Sequence, residues 1–438
     1  MSISPPPLDP ARATASAPPG AADALPVLHV RTLRIEESAD VLGHLPAGLT
    51  AAWLRHGQGL VGVGAAWALE TAGPDRFRTA SVRFQALCAQ ARIDDEVRER
   101  GTALIAFGSF SYAADSARPS RLLVPRAVLG SAEGSAFLTL VGVDEEPEVP
   151  GDWRDLFPTT PSAPPAAQVE VETEHTSVHY QALVGEAIER IRAGEADKVV
   201  LSESTHLRVD PAPPVAAMVR RLAAAYPSTW TYHLGDVLGA SPEMLADTDR
   251  GRVFSRVLAG SRPVADGAEL AESDRRAFRA DPKERSEHAY AIDSVTSRLA
   301  DLTVDLASSP EPFVLRLPGI EHLASDVSGH LRQGVSSLDV AGALHPSAAV
   351  SGSPREAADA IIARLEDRDR GGYAAPVGWM DARGDGQWAI ALRMAHLEGP
   401  GALRAQAGGG IVEGSDPVLE HAEAIAKTRP ILRAVRGD

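Results

Sequence analysis

The sequence predicts an α/β protein of the α+β type, and three observations carry that expectation. Val184, Ala187, Ile188 and Ile191 recur at helical spacing. Soon after them, Lys198-Val199-Val200-Leu201-Ser202-Glu203 alternates as a half-buried strand does, with Lys198, Val200 and Ser202 on one face and Val199 and Leu201 on the other. Further on, Tyr373–Met380 and Trp388–Leu397 are strand-like runs separated by Asp381-Ala382-Arg383-Gly384-Asp385-Gly386, the pattern of a β-hairpin.

Taken in chain order, residues 1–24 form a Pro/Ala-rich tail, with Pro5-Pro6-Pro7 and Pro18-Pro19, expected to be disordered. One domain is expected over 25–438. It comprises an N-terminal portion (25–144), a Pro-rich and acidic surface connection (145–167) and a second portion (168–438). Strands are expected at Ala103–Phe107 and Ala136–Val141, and a helix at Ser177–Arg192 with Gly194 as its stop. A strand near Thr229–Leu234 leads through a Gly-containing turn to Ser241-Pro242-Glu243. The helix expected over 282–302 has an apolar stripe of Ile292, Val295, Leu299 and Leu302, which leaves Lys283 and Glu287 together off the core face. Gly408-Gly409-Gly410 reads either as a tight turn or as a run of backbone N–H groups able to approach a carboxylate. Asp416-Pro417 caps the last helix, where Glu420, Glu423 and Lys427 share one face; Pro430 should kink or end it.

Composition narrows the class. With 44% hydrophobic and 23% charged residues the chain is an ordinary soluble globular protein, and its single cysteine, Cys88, fits a reducing cytoplasm rather than a disulfide scaffold. No apolar run approaches the ~20 residues that span a bilayer. A net charge of −16 without a basic stripe excludes nonspecific nucleic-acid binding. It also requires that any anionic substrate meet local cations or a metal. His175 and His179 have the spacing of a helical zinc pair but lack the intervening glutamate of a zinc protease, and no zinc site is assigned.

Lys198 is the residue with the most chemical consequence. An amine on a half-buried strand can be desolvated until its neutral form is usable near pH 7, and that form can activate water. Ser241-Pro242-Glu243, Lys283–His288 and the Glu420/Glu423/Lys427 face supply a candidate acid, metal ligands and further charge. Each is ordinary alone: a capped turn, a solvated helix face, an i,i+4 ion pair.

Their order is specific. Lys198-Val-Val-Leu-Ser, Ser241-Pro-Glu, Leu258-Ala-Gly-Ser-Arg-Pro, Lys283-Glu-Arg-Ser-Glu-His, His322-Leu-Ala-Ser, Leu344-His-Pro-Ser-Ala-Ala-Val-Ser-Gly, Tyr373-Ala-Ala-Pro-Val-Gly-Trp, Ile390-Ala-Leu-Arg and Gly408-Gly-Gly-Ile-Val together resemble the chorismate-utilising enzymes. The likeness is dense over 177–435 and loose before it. It implies large antiparallel sheets, stacked and flanked by helices, with the site between them. It also implies roles: Lys198 as the base activating water for attack on C2 of chorismate, and Glu243 as the acid protonating the departing C4 hydroxyl. Glu287, Glu423 and Glu420 become ligands of a Mg2+ cofactor. Ser261, Ala349, Tyr373, Arg393, Gly408, Gly409, Gly410 and Lys427 become the substrate-binding groups.

Relatives that use ammonia carry glutamine where Lys198 stands, and the Asp-Leu-Gly-Arg-Asn-Asp run of anthranilate synthases is replaced here by Asp293-Ser-Val-Thr-Ser-Arg. Salicylate synthases often place threonine at Ala349. The resemblance therefore implies a cytoplasmic isomerase making isochorismate, a monomer or homodimer serving siderophore or menaquinone synthesis. The competing expectations are salicylate synthase, then an anthranilate or aminodeoxychorismate synthase component. A catalytically silent scaffold is the reading from another class, and the complete set of acid, base and metal ligands speaks against it.

Overall fold

The computed structural model describes residues 25–437 apart from 36–39, 133–134, 159–167, 174–176, 265–270, 318–319 and 367. The expected tail and 159–167 of the expected connection lie outside the described residues. The strands form one sheet of 13 and one of 10, almost entirely antiparallel; Leu28–Ile35 with Arg92–Asp95 is a parallel pair. Both sheets draw strands from either side of the connection: Thr231 pairs with Leu54 in the larger sheet, and Val377 with Ser109 in the smaller. Their shared core includes Trp53 and Tyr232 from the larger sheet with Phe107, Trp379 and Trp388 from the smaller. The Trp53 indole donates across to Gln387 Oε1 at 2.8 Å, so the one polar atom of that ring keeps a partner.

The described helices are α1 (Arg76–Gln90), α2 (Ser177–Arg192), α3 (Val215–Ala225), α4 (Glu272–Ala280), α5 (Pro282–Ala300), α6 (Ser337–Leu344), α7 (Arg355–Leu365) and α8 (Pro417–Arg436). Against the larger sheet, Tyr180, Val184 and Ile188 of α2 and Ile361 and Ile362 of α7 pack on Val199 and Leu201. Met218 and Leu222 of α3 and Ile431 and Val435 of α8 pack on Leu207 and Val209. The alternation read from the sequence thus sends the odd-numbered residues of the Lys198 strand under the helices and leaves Lys198, Val200 and Ser202 on the opposite face. Each such buried aliphatic side chain contributes ~1.5–3 kcal/mol. Helices α5 and α6 lie against the smaller sheet, with α1 on α6.

Helix α2 has the expected bounds, and the Lys198 strand runs on to Asp210. Helix α4 escapes pattern reading because only Phe278 of it is buried, so no apolar stripe exists. Three expectations change. The second strand of the hairpin is two strands: Gly386–Ile390 belongs to the smaller sheet and Met394–Gly399 to the larger. Between them Arg393 adopts φ 49°, a left-handed conformation that redirects the chain without disturbing the apolar pattern on either side. The triple glycine is no turn; it lies within the strand Ala402–Ile411, with Gly408, Gly409 and Gly410 opposite Ser202, Leu201 and Val200. Helix α8 continues past Pro430 to Arg436, because its last turns bury Ile431, Ala434 and Val435, and Gly437 closes it at φ 84°. At its start the Asp416 carboxylate accepts from the N–H groups of Val418 and Leu419, as the sequence implied.

Candidate active site

Of the places where the chain passes between the two sheets, two neighbouring ones each carry a charged residue. Strand Val237–Ser241 of the larger sheet is followed by Met244–Asp249 of the smaller, and Pro242-Glu243 is the link. The return crossing is the one at Arg393. The crossings are tied together: Ile390 N–H donates to Glu243 O at 3.0 Å, Ser241 Oγ–H to Ile390 O at 2.6 Å, Glu243 N–H to Ser241 Oγ at 3.2 Å and Ala240 N–H to Arg393 O at 3.2 Å. The Tyr373 loop joins the same seam through Ala374 N–H to Ala391 O at 2.9 Å. Glu243 and Arg393 are thereby fixed by backbone rather than by flexible stems.

The Lys198 strand, the glycine strand and α8 form the other wall. A Cβ on Gly410 would stand 2.6 Å from Lys198 Cε, so the lysine stem lies across the bare backbone of Gly410. A Cβ on Gly409 would stand 3.0 Å from Glu420 Oε2, which places that carboxylate against the strand from α8. Lys427 donates to Gly408 O at 2.7 Å and pairs with Glu423 Oε1 at 2.7 Å. The ordinary i,i+4 ion pair therefore exists, with Glu423 more than half exposed, but its lysine is also docked on the glycine strand.

Charge connects the two walls. Burial raises the Glu243 carboxyl above its ordinary range, opposed by the Lys198 and Lys427 ammonium groups. His322 is lowered by burial and by Lys198, which places it beside the same amine. Burial pushes the Tyr373 phenol up, countered by Arg370 and Arg393 among its neighbours. Burial lowers Arg393, while Tyr373 and Glu423 favour its cationic form. Glu420 is raised by burial and by its like-charged neighbour Glu423, although Ser415 donates to it at 2.7 Å. Lys198 and Lys427 thus both act on Glu243, and Arg393 on Tyr373, in a chain whose net charge is −16.

Lys198, Glu243, Tyr373, Arg393, Gly408–Gly410, Glu420, Glu423 and Lys427 are accordingly linked through direct contacts or shared charge. Ala349 is exposed on the loop before Gly352. Ser261 pairs with His322 through the backbone, but its side chain lies outside the described residues, as does that of Glu287 on α5. Among the described residues no group of three or more His, Cys, Asp or Glu side chains is gathered closely enough to hold a metal. Glu420 and Glu423 do fit a hard divalent cation: both offer carboxylate oxygens, and a cation would relieve the repulsion that raises Glu420. The motif order contains His322 but implies no role for it. Glu366 and Arg370 escape it, and their i,i+4 spacing looks like any surface ion pair although both side chains are buried.

The profile of the chorismate binding enzyme family matches residues 52–436. A Mycobacterium tuberculosis protein provisionally named isochorismate synthase MenF is 33% identical over 350 residues, covering 76% of this chain and 87% of its own. Anthranilate synthase component 1 of Streptomyces coelicolor is 38% identical over 271 residues, covering 60% of this chain and 52% of its own. Among solved structures, the menaquinone-specific isochorismate synthase MenF of Escherichia coli matches with a TM-score of 0.75 over 94% of this chain and 95% of that one, at 24% identity. That last likeness is one of fold.

Proposed function

Because the chain belongs to the chorismate-binding enzyme family, we propose that it is an isochorismate synthase, forming the C2–O bond from water while the C4 hydroxyl of chorismate departs. What supports this reading is that Lys198 lies close enough to Glu243 for its charge to oppose the burial that raises that carboxyl, so that one could serve as base and the other as acid. Water is a poor nucleophile and hydroxide a poor leaving group, so both are needed. In its neutral amine form, Lys198 takes a proton from water as oxygen bonds to C2. The ring double bonds shift, and Glu243 gives its proton to the C4 oxygen, which leaves as water. Water in and water out make the net change an isomerisation, and proton return from Lys198 to Glu243 through solvent resets the site.

Arg393 suits one substrate carboxylate, since its planar fork grips carboxylates bidentately, and Lys427 adds a point charge on the glycine wall. A bound Mg2+, held by Glu420 and Glu423, would neutralise the other carboxylate. The lysine at 198, where ammonia-using relatives carry glutamine, favours water over the amination performed by anthranilate synthases. Incubation of the purified protein with chorismate and Mg2+, followed by chromatography, tests the reading. Isochorismate is the expected product. Salicylate with pyruvate, or anthranilate on addition of ammonium, would replace it with the corresponding synthase activity.

A further inference from the structure

One edge of the Lys198 strand has a gap directly beside the base. On that edge Lys198 and Val199 pair with Ser353 and Gly352, and pairing resumes at Thr205 with Thr173. Between those rungs, from Val200 to Ser204, no strand is paired among the described residues. An unpaired stretch of backbone in a buried sheet leaves donors and acceptors that must find partners elsewhere. Ser351 O accepts from Val200 N–H at 2.8 Å. Two further groups are met by side chains: Arg370 Nη2 donates to Val200 O at 2.7 Å, and Glu366 Oε1 accepts from Ser202 N–H at 2.7 Å and from Ser202 Oγ–H at 3.0 Å.

Glu366 and Arg370 hold each other as well. Arg370 Nε and Nη2 donate to the two Glu366 oxygens, each at 2.7 Å. The second fork nitrogen, Nη1, donates to Val350 O at 2.9 Å, and the guanidinium lies 4.5 Å over the Tyr112 ring. The pair therefore binds the Lys198 strand on one side and the loop of Ala349 on the other, and Arg370 stands only three residues before Tyr373. Both side chains are buried, Arg370 at 2% and Glu366 at 7% exposure. Buried ion pairs of this kind add little net stability compared with apolar residues of the same size. What this one supplies is a fixed geometry, since a five-donor fork can meet two carbonyls and a carboxylate at once.

We propose that Glu366 and Arg370 are positioning residues for the reaction: as side chains standing in for strand pairing along Val200–Ser202, they set the register of Lys198 against the loop of Ala349. The inference rests on the isochorismate synthase reading for its kinetic consequence, though not for the contacts themselves.

The test uses the full-length protein with an apolar pair of similar volume, Glu366→Leu with Arg370→Met. A merely structural pair would leave kcat per folded molecule unchanged in this variant. A positioning pair should lower kcat by about 30- to 100-fold, the size of effect that small misplacement of a reacting group produces, while KM for chorismate stays within about threefold. Hydrogen exchange of the segment Val199–Glu203, measured without substrate, should accelerate as Ser202 N–H loses its acceptor. Should the double variant fail to fold, Arg370→Lys provides the second arm. An ammonium cannot span both carbonyls, so kcat should fall about tenfold with KM again little changed. Wild-type kcat and unchanged exchange in the folded variant, or wild-type kcat in Arg370→Lys, would overturn the proposal. Absence of isochorismate from the wild-type protein would overturn the proposed function instead, and the exchange measurement would still judge the strut.

Discussion

Glu243 and Lys198 are placed by different means, and that difference shapes what each substitution should do. Glu243 is fixed at a sheet crossing by hydrogen bonds of its own backbone, so Glu243→Gln should keep the geometry and lose the proton. Burial raises this carboxyl, so it stays protonated to higher pH than an exposed glutamate; activity that needs that proton declines as pH rises through the raised value. Glu243→Gln is expected to cut kcat by ~10²–10⁴ and to erase that decline from the pH–rate profile. Lys198→Ala is expected to cost a comparable ~10²–10⁴ in kcat while calorimetry still detects chorismate binding, because Arg393, Lys427 and Tyr373 remain. Residue types and order were legible in the sequence. The left-handed turn at Arg393 was not, since no apolar period records a change of sheet, and Glu366 with Arg370 escaped notice because spacing carries no information about burial.

At the scale of elements, the Lys198 strand carries a stability signal of its own. Glu203 lies on its helix-facing side, 4% exposed, with His421 Nε2 at 3.4 Å. Burial raises its pKa from 4.5 to about 7. The folded value exceeds the unfolded one, so the carboxyl is neutral in both states below pH 4.5 and costs stability progressively as pH climbs through 7. Glu203→Gln should therefore raise stability by ~1–3 kcal/mol at pH 8 and leave it unchanged at pH 4, as denaturant titrations at the two pH values would register. The glycine strand makes a kinetic prediction. Gly410→Ala places a methyl where Lys198 Cε now lies, so the lysine must move. A loss of ~10- to 100-fold in kcat with a nearly unchanged melting temperature is expected. Sequence pattern gave α2, the start of the Lys198 strand and the Asp416 cap, because each rests on local chemistry. It misread the triple glycine as a turn candidate because glycines that admit a neighbour's side chain look the same as glycines that admit a bend.

Over the whole molecule, two sheets built from both ends of the chain meet along one seam, and the candidate site is where that seam collects its charges. No periodicity in one segment announces a pairing such as Leu54 with Thr231, so only the likeness to a known family supplied the stacked sheets in advance. With a net charge of −16, a dianionic substrate needs local cations, and the proposed Mg2+ would add to those that Arg393 and Lys427 supply. Removal of divalent cations with a chelator should abolish turnover, and Mg2+ should restore it. Glu420→Gln should raise the Mg2+ concentration needed for half-maximal rate by at least ~10-fold.

The most direct measurement is turnover of chorismate in ¹⁸O-labelled water, with the product resolved and weighed by mass spectrometry. Isochorismate carrying one heavy oxygen, at C2, is expected from the wild-type protein, with its formation by Lys198→Ala slowed by ~10²–10⁴. Unlabelled isochorismate, or labelled isochorismate made at the wild-type rate by Lys198→Ala, would contradict the assignment of Lys198 as the base that activates water.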